Sequence, residues 1–463
     1  MKTNHAKRLL SVILLVLMVA SLSACGSGTA PADSGTSAGT SSGTSSAAAA
    51  GSTGGTISIS TYAPTDAMLE NMGKYYSEPI SKGTGVKVEY KIYANRESLI
   101  VEVAGGGGPD ILDLDGPTDV VEFAKSGKAL DLTKYAEQYK WADLFMDWAY
   151  TACYYDNILY SLPTCYEGMG MYYNMDVMQK NGWVIPKSLD ELESLFKTIK
   201  TAGLVPVSFG NANYQGAVDW LYSTMLSCYG GVDNLTAVLT GKDTLQGNQG
   251  VSSSMQKLVD WWKAGYIDNN SQSVTTDDMI TRFANGDAVM MIDGTWGSSN
   301  LTADYPSCKW KFDLMPPAKA GEAAIFPIAI GGCDVISANC KDPDTAAKVL
   351  NYIYTSNQDN HYASIVNAGM QPYPVKWFET SKLAGMDQKL VDLYSTLDTA
   401  MDNKNVGFCS WTFYPAQSRV YMNENTDSCF LGKLTVKDYL TNAQAFIDEA
   451  IKNGTAPVLP NLK

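Results

Sequence analysis

The stretch RFANGDAVMMIDGTWG, Arg282 to Gly297, decides the architecture. Asn285-Gly286 reads as the left-handed stop of a helix. Ala288 to Ile292 is an apolar run without alternation, the pattern of a strand buried on both faces. Asp293-Gly294 breaks that strand, and Trp296 lies just past its carboxyl end. In open α/β sheets, ligands bind off the carboxyl ends of strands. Trp296 is therefore either a binding platform or the cap of a core, and these residues alone leave both readings open.

Working outward, strand and helix signals alternate. Ile57 and Ile59 alternate with Ser58 and Ser60 in a strand ending at Thr61-Tyr62. A helix is expected over 66–82, a strand through Val86, Val88 and Tyr90, a helix over 96–104, and a third strand over 109–114. Leu162 to Asn174 reads as a crossing strand. Ser188-Leu-Asp-Glu191 is a capping box that opens a helix through Lys200. Val205 to Phe209 is a strand, with a polar loop holding Asn211 and Asn213 off its end and a helix carrying Trp220 behind it. Ser253 to Ala264 is helical, with Trp261-Trp262 packed. Asp342-Pro343 caps a helix running to about Thr355. From Ser381 the chain is helical, with an aromatic loop from Phe408 to Pro415. Strands alternating with helices predict βαβ units and a mostly parallel sheet.

The 463 residues have room for two or three domains, and 45% apolar content supports a large core. A net charge of −14 argues against nucleic acid or anionic lipid as a partner. Arginine occurs only at Arg8, Arg96, Arg282 and Arg419, which disfavours an Arg-clamped phosphate ligand. His5 lies in the leader, so a catalytic relay would rest on His361 alone and a multi-His zinc site is impossible. His361 is read as structural or solvated. Nine Cys occur without a C-x-x-C pair. Cysteine spacing leaves both disulfides and free buried thiols open. Gly105 to Gly108 precedes a strand and lacks Gly-Lys-Ser/Thr, so it is no phosphate loop. Asp113-x-Asp115-Gly116-x-x-Asp119 lacks the acids of a calcium loop, and Asp113 and Asp115 read as acceptors at a strand end. No metal or cofactor is implied.

Lys2 to Arg8 is a basic n-region, and Leu9 to Ala20 is an apolar h-region too short to span a bilayer comfortably. Leu22-Ser-Ala-Cys25 resembles the lipobox of bacterial lipoproteins, which implies cleavage after residue 24 and lipidation of Cys25. Between Gly26 and Gly55 every residue except Pro31 and Asp33 is Gly, Ser, Thr or Ala, the composition of a flexible tether.

Five features together resemble the sugar-binding extracellular solute-binding proteins of ABC importers (solute-binding family 1), the group that includes maltose-binding protein. They are the lipobox with its tether; Gly-x-x-Pro-Asp, Gly106 to Asp110; Leu-Pro followed by Met-Tyr-Tyr-Asn-x-Asp, Leu162 to Asp176; Phe-x-x-Gly-x-Ala-x-Met with Asp-Gly-x-Trp, Phe283 to Trp296; and Gly331-Gly332 before the Asp-Pro helix. The resemblance implies an α/β, two-lobed periplasmic-binding-protein-like fold, with strands crossing between lobes and a ligand cleft. Lobe 1 is expected over 56–165 plus 311–355, and lobe 2 over 166–310 plus 356–463. Trp296 resembles the cleft Trp that stacks on a sugar, Glu167 a crossing carboxylate that accepts sugar hydroxyls, and Trp411 a second aromatic platform. Asp113, Asp115, Tyr62, Asn211, Asn213 and Trp220 fall in regions that touch ligand in the family. The implied function is a lipid-anchored monomer on the extracellular face of the cell membrane. It binds a mono- or oligosaccharide and delivers it to the transmembrane subunits of an ABC permease, catalysing no reaction. The alternatives are a surface-anchored glycan-active enzyme and a ligand receptor for a sensor kinase.

Overall fold

The computed structural model describes residues 55–460 apart from 63, 65 and 384. The signal peptide, the Cys25 lipidation site and nearly all of the tether lie outside the described residues.

Eleven strands form among the described residues: β1 (Thr56–Tyr62), β2 (Lys87–Tyr93), β3 (Ile111–Leu114), β4 (Tyr154–Tyr155), β5 (Ile158–Leu159), β6 (Leu162–Asn174), β7 (Val205–Ser208), β8 (Ala288–Gly294), β9 (Trp310–Asp313), β10 (Phe326–Ile336) and β11 (Val406–Phe408). Nine of them join in the order β2-β1-β3-β10-β6-β8-β7, with β11 beside β10 and β9 beside β6, while β4 and β5 form a separate hairpin. The expectation of a mostly parallel sheet holds toward the ends, where β1 pairs β2 and β3, and β7 pairs β8, in parallel, and for the short β11, which joins β10 in parallel. The centre is antiparallel: β10 runs against β3 and β6, and β6 runs against β8 and β9. The reason is β6 itself. Its first half, Leu162 to Gly168, pairs with β10, and its second half, Met169 to Asn174, pairs with β8 and β9. One strand thus serves two halves of the molecule, and Glu167 stands at the change of partner.

The Arg282–Gly297 stretch folds largely as its sequence dictates. The helix Thr276–Asn285 stops at Gly286, whose φ of 82° is the left-handed conformation that a Cβ disfavours. Every residue of β8 is buried. Asp293-Gly294 does not break the strand: Asp293 still pairs with Gly170 and Gly294 with Met169. Their local turn preference is overridden because β6 supplies a full set of ladder partners. Asn174 links the two motif segments. Its Oδ1 accepts the Val177 N–H (3.1 Å) to cap the helix Met175–Asn181, and its Nδ2 donates to the Phe283 carbonyl (2.7 Å), which also accepts the Gly286 N–H (3.1 Å) at the end of the neighbouring helix.

Other expectations are adjusted. The 66–82 helix is helical to Thr84, with a wider π-turn at Gly73–Ser77. Only half of the capping box at Ser188 forms: Ser188 Oγ accepts the Glu191 N–H (3.3 Å), but the Glu191 carboxylate turns to the Lys187 N–H (2.7 Å). The aromatic loop contains β11 and a short helix, Ser410–Phe413, and the helices Ala416–Phe430 and Val436–Lys452 follow. All eight described cysteines are free thiols. No helix among the described residues is long and apolar enough to cross a membrane.

Two segments pack otherwise than the expected lobe division. Trp310–Asp313 pairs with Met171–Asn174. The helix Gln358–Ala368 lies against Tyr75 and Tyr76. His361, on that helix, is structural. Burial lowers its pKa to about 3, so the ring is neutral. Its Nε2 accepts the Tyr373 N–H (3.1 Å), which assigns the ring proton to Nδ1, facing the Tyr76 hydroxyl (3.2 Å).

Candidate functional site

The point where β6 changes partner is also where the chain leaves polar atoms inside. Glu167, on β6, is 9% exposed. Its side chain reaches over Gly331 of β10, where a Cβ would sit 2.2 Å from Glu167 Oε2, so the glycine makes the room. Trp411 donates its indole N–H to Glu167 Oε1 (3.0 Å). The Trp411 turn is tied down from three sides. Thr118 Oγ1 donates to its carbonyl (3.0 Å), Ile330 N donates to Thr412 Oγ1 (2.9 Å), and Ser410 N donates to Ser223 Oγ (3.0 Å). A binding wall held this firmly needs little ordering when ligand arrives.

Trp296 follows β8 and lies across Gly294, where a Cβ would meet the ring at 2.0 Å. Its ring meets Trp411 edge-on (centroids 6.2 Å apart, 69° between planes) and Trp220 at 5.4 Å and 57°. Trp220 in turn touches Tyr214 (6.1 Å, 47°). These rings, with Glu167, Asp115 and Asp219, line an open cavity of about 150 Å³. It shares Asp115, Tyr214 and Arg419 with a neighbouring outer cavity of about 590 Å³.

Of the nine residues expected to touch ligand, Glu167, Trp296, Trp411, Trp220 and Asp115 converge on the inner cavity. Tyr62 and Asn213 line the outer one. Tyr62 donates its hydroxyl to the Asp113 carbonyl (3.0 Å), while Asn213 Oδ1 accepts the Thr276 N–H (2.9 Å). Asp113 and Asn211 line neither cavity. Asp113 faces Asp334 across the β3–β10 ladder, and burial with that neighbour holds its carboxyl well above the usual range. Asn211 is buried, and its Nδ2 donates to Asp427 Oδ2 (3.1 Å).

Sequence reading missed three lining residues: Asp219, Tyr214 and Arg419. Arg419 forms ion pairs with Asp219 Oδ2 (3.0 Å) and Asp119 Oδ1 (3.6 Å) and donates to Thr118 Oγ1 (3.3 Å). The scarcity of arginine carried a signal. In a chain with four Arg, the one at the first turn of the helix Ala416–Phe430 stands out, and Asp219 stands directly before Trp220.

Burial pushes Glu167 up to about 8, with Asp115, Asp219 and Asp293 adding repulsion and the Trp411 N–H opposing. Burial likewise raises Asp293 to about 7. A carboxyl held above its usual value keeps its proton in the folded chain where the unfolded chain has lost it. Stability is then complete below the unfolded pKa and falls as pH rises through the folded one. Thermal melts should therefore drop between about pH 5 and pH 8, with Glu167 contributing on the order of 2–5 kcal/mol at the upper end. Glu167→Gln should flatten the slope and melt no lower than the parent at the upper end of that range. A slope identical in both proteins would show that Glu167 is not the titrating group.

The family model for "Bacterial extracellular solute-binding protein" matches residues 65–359. A maltodextrin-binding protein of Bacillus subtilis (strain 168) is 25% identical over 283 residues, covering 60% of this chain and 63% of the relative's length. A chitin oligosaccharide binding protein superposes with a TM-score of 0.73 at 19% identity, covering 86% of this chain and all of that one. The maltose-bound T. maritima MalE3 superposes with a TM-score of 0.65 at 18% identity, covering 85% and 99%. These superpositions carry the two-lobed fold alone. The family model takes in β3, β6, β8 and β10, and with them Asp115, Glu167, Asp219, Trp296 and Gly331 of the inner cavity. On that match, the chain belongs to the bacterial extracellular solute-binding protein family.

Proposed function

We propose that the protein is the carbohydrate-binding component of an ABC importer, closing two lobes over a mono- or oligosaccharide and presenting it to the permease. The observation that carries this reading is the inner cavity, where three indoles and a tyrosine ring line the same space as the carboxyl groups of Glu167, Asp115 and Asp219. A sugar ring presents C–H faces to aromatic rings and hydroxyls to carboxylates. An unpaired buried partner costs about 1–3 kcal/mol, which makes such a pocket selective. The B. subtilis relative and both structural neighbours carry saccharide ligands in their names.

The lobes divide as 56–165 plus 311–355 and 166–310 plus 356–463, with residues 311–313 and the helix Gln358–Ala368 assigned to the body each packs against. The hinge lies where β6 and β10 run side by side, and closure brings Asp115 and Gly331 onto Trp296, Trp220 and Asp219. No reaction is catalysed, and the protein works as a monomer. A thermal-shift screen of sugars tests binding. Release of reducing ends from a glycan substrate would replace the receptor with an enzyme.

Lipidation of Cys25 would hold the body at the outer face of the membrane through the Gly26–Gly55 segment. Cys25→Ser should move the protein from the membrane fraction to the medium while sugar affinity stays the same. Retention of that variant at the membrane would remove the lipid anchor from the account.

A further inference from the structure

Three carboxyl groups line the inner cavity, and their surroundings differ. Asp115 is exposed, so water solvates its charge. Asp219 is buried but lies 3.0 Å from the Arg419 guanidinium, which offsets its charge. Glu167 has neither. It is 9% exposed and joins no ion pair among the described residues, and Arg419, the cation of the lining, is held by Asp219 and Asp119. A buried charge without a partner costs so much that the group takes up a proton instead. Like groups in unlike surroundings divide into acid and base.

The two oxygens of Glu167 are also unlike. Oε1 accepts the Trp411 indole N–H (3.0 Å), the part of a carbonyl oxygen. No donor of the described residues reaches Oε2, which lies over Gly331. A charge on Glu167 would meet Asp115 past the end of β3, Asp219 on the helix Val218–Cys228 and Asp293 on β8, and each repels it. The two thiols beside it are Cys165, on β6 itself, and Cys409, ahead of the Trp411 turn, and burial raises both. From β10 comes Gly331, without charge, and Tyr214 of the lining is a neutral phenol. Trp411 therefore supports the charged form alone.

We infer that Glu167 meets the ligand as a neutral acid, with its proton on Oε2, and donates a hydrogen bond to an oxygen of the sugar. The inference rests on the carbohydrate reading above and sets the direction of one contact within it: Glu167 gives where Asp115 and Asp219 accept. A sugar hydroxyl needs both kinds of partner, and ring and glycosidic oxygens only accept. Glu167 titrates at about 8, and once its proton is lost two lone pairs face each other across the contact. The ligand prefers the protonated form, so affinity is level at low pH and falls as pH rises through that value, and binding there takes up a proton.

Infrared spectra of the ligand-free protein at about pH 6 should hold a protonated-carboxyl carbonyl band that Glu167→Gln lacks, and in the parent it should fade as pH rises past about 8. Titration calorimetry with the best-binding sugar should give level affinity up to about pH 7, then a fall approaching 10-fold per pH unit above about pH 8, with up to one proton taken up per sugar. In Glu167→Gln the amide N–H donates from the same place. Its affinity at about pH 6 should stay within severalfold of the parent's, and both the fall and the proton uptake should vanish. No Glu167 band at about pH 6, or the same pH profile in both proteins, would overturn the inference and leave the carbohydrate reading intact. A folded Glu167→Gln that loses the sugar at every pH would do the same, by making Glu167 an acceptor. Silence toward every saccharide would overturn both readings.

Discussion

Trp296→Ala is expected to weaken sugar binding by about 10-fold or more, at least ~1.4 kcal/mol, with the fold intact. The ring is half-buried and supplies the wall between Trp220 and Trp411, so truncation removes a stacking face and opens the cavity to water. Beneath the ring lies Gly294, so no side chain can refill the space. The backbone at Trp296 leads into the helix Gly297–Asp304 and needs no side-chain cap from it, so alanine leaves that helix in place. Calorimetry of the variant against the best-binding sugar, with a thermal melt as control, reads the two effects separately. Unchanged affinity would return Trp296 to the role of a core cap.

Arg419→Met is expected to cost about 3–5 kcal/mol of stability, the typical result of removing one partner from a buried ion pair. Its side chain is 11% exposed and that of Asp219 is 1% exposed, so water cannot screen the carboxylate left behind. The unfavourable charge would be relieved by protonation of Asp219, a group that burial already raises. The variant should therefore recover part of its loss as pH falls. Denaturant unfolding at two pH values measures this. A loss under ~1 kcal/mol would mean that the pair is screened like a surface bridge. Arg419 also joins Asp119, beside the β3 end, to Asp219, on the helix Val218–Cys228, so the same variant loosens the cleft.

Much of the fold is legible in the sequence. The run Ala288–Ile292, the glycine stop at Gly286 and the Leu162–Asn174 segment each carry a local signal strong enough to name an element. The family motifs order those elements and bring Glu167, Trp296 and Trp411 to one place. What escaped was set by tertiary pairing. Asp293-Gly294 reads as a break, yet β6 offers partners and the strand continues. Val406–Phe408 pairs in parallel with the start of β10, a long-range contact that its three residues do not announce. The lining role of Tyr214, Asp219 and Arg419 depends on how the helices Val218–Cys228 and Ala416–Phe430 meet the end of β3, and helical periodicity does not report that. Asn211 reads as a loop residue free to bind, while its Nδ2 is committed to Asp427.

Calorimetric titration of the soluble body against a broad panel of saccharides, peptides and polyamines tests the central claim most directly. The account predicts saturable one-to-one binding of a saccharide, abolished or strongly weakened by Trp296→Ala. Silence toward every saccharide, together with tight binding of a peptide or a polyamine, would contradict it.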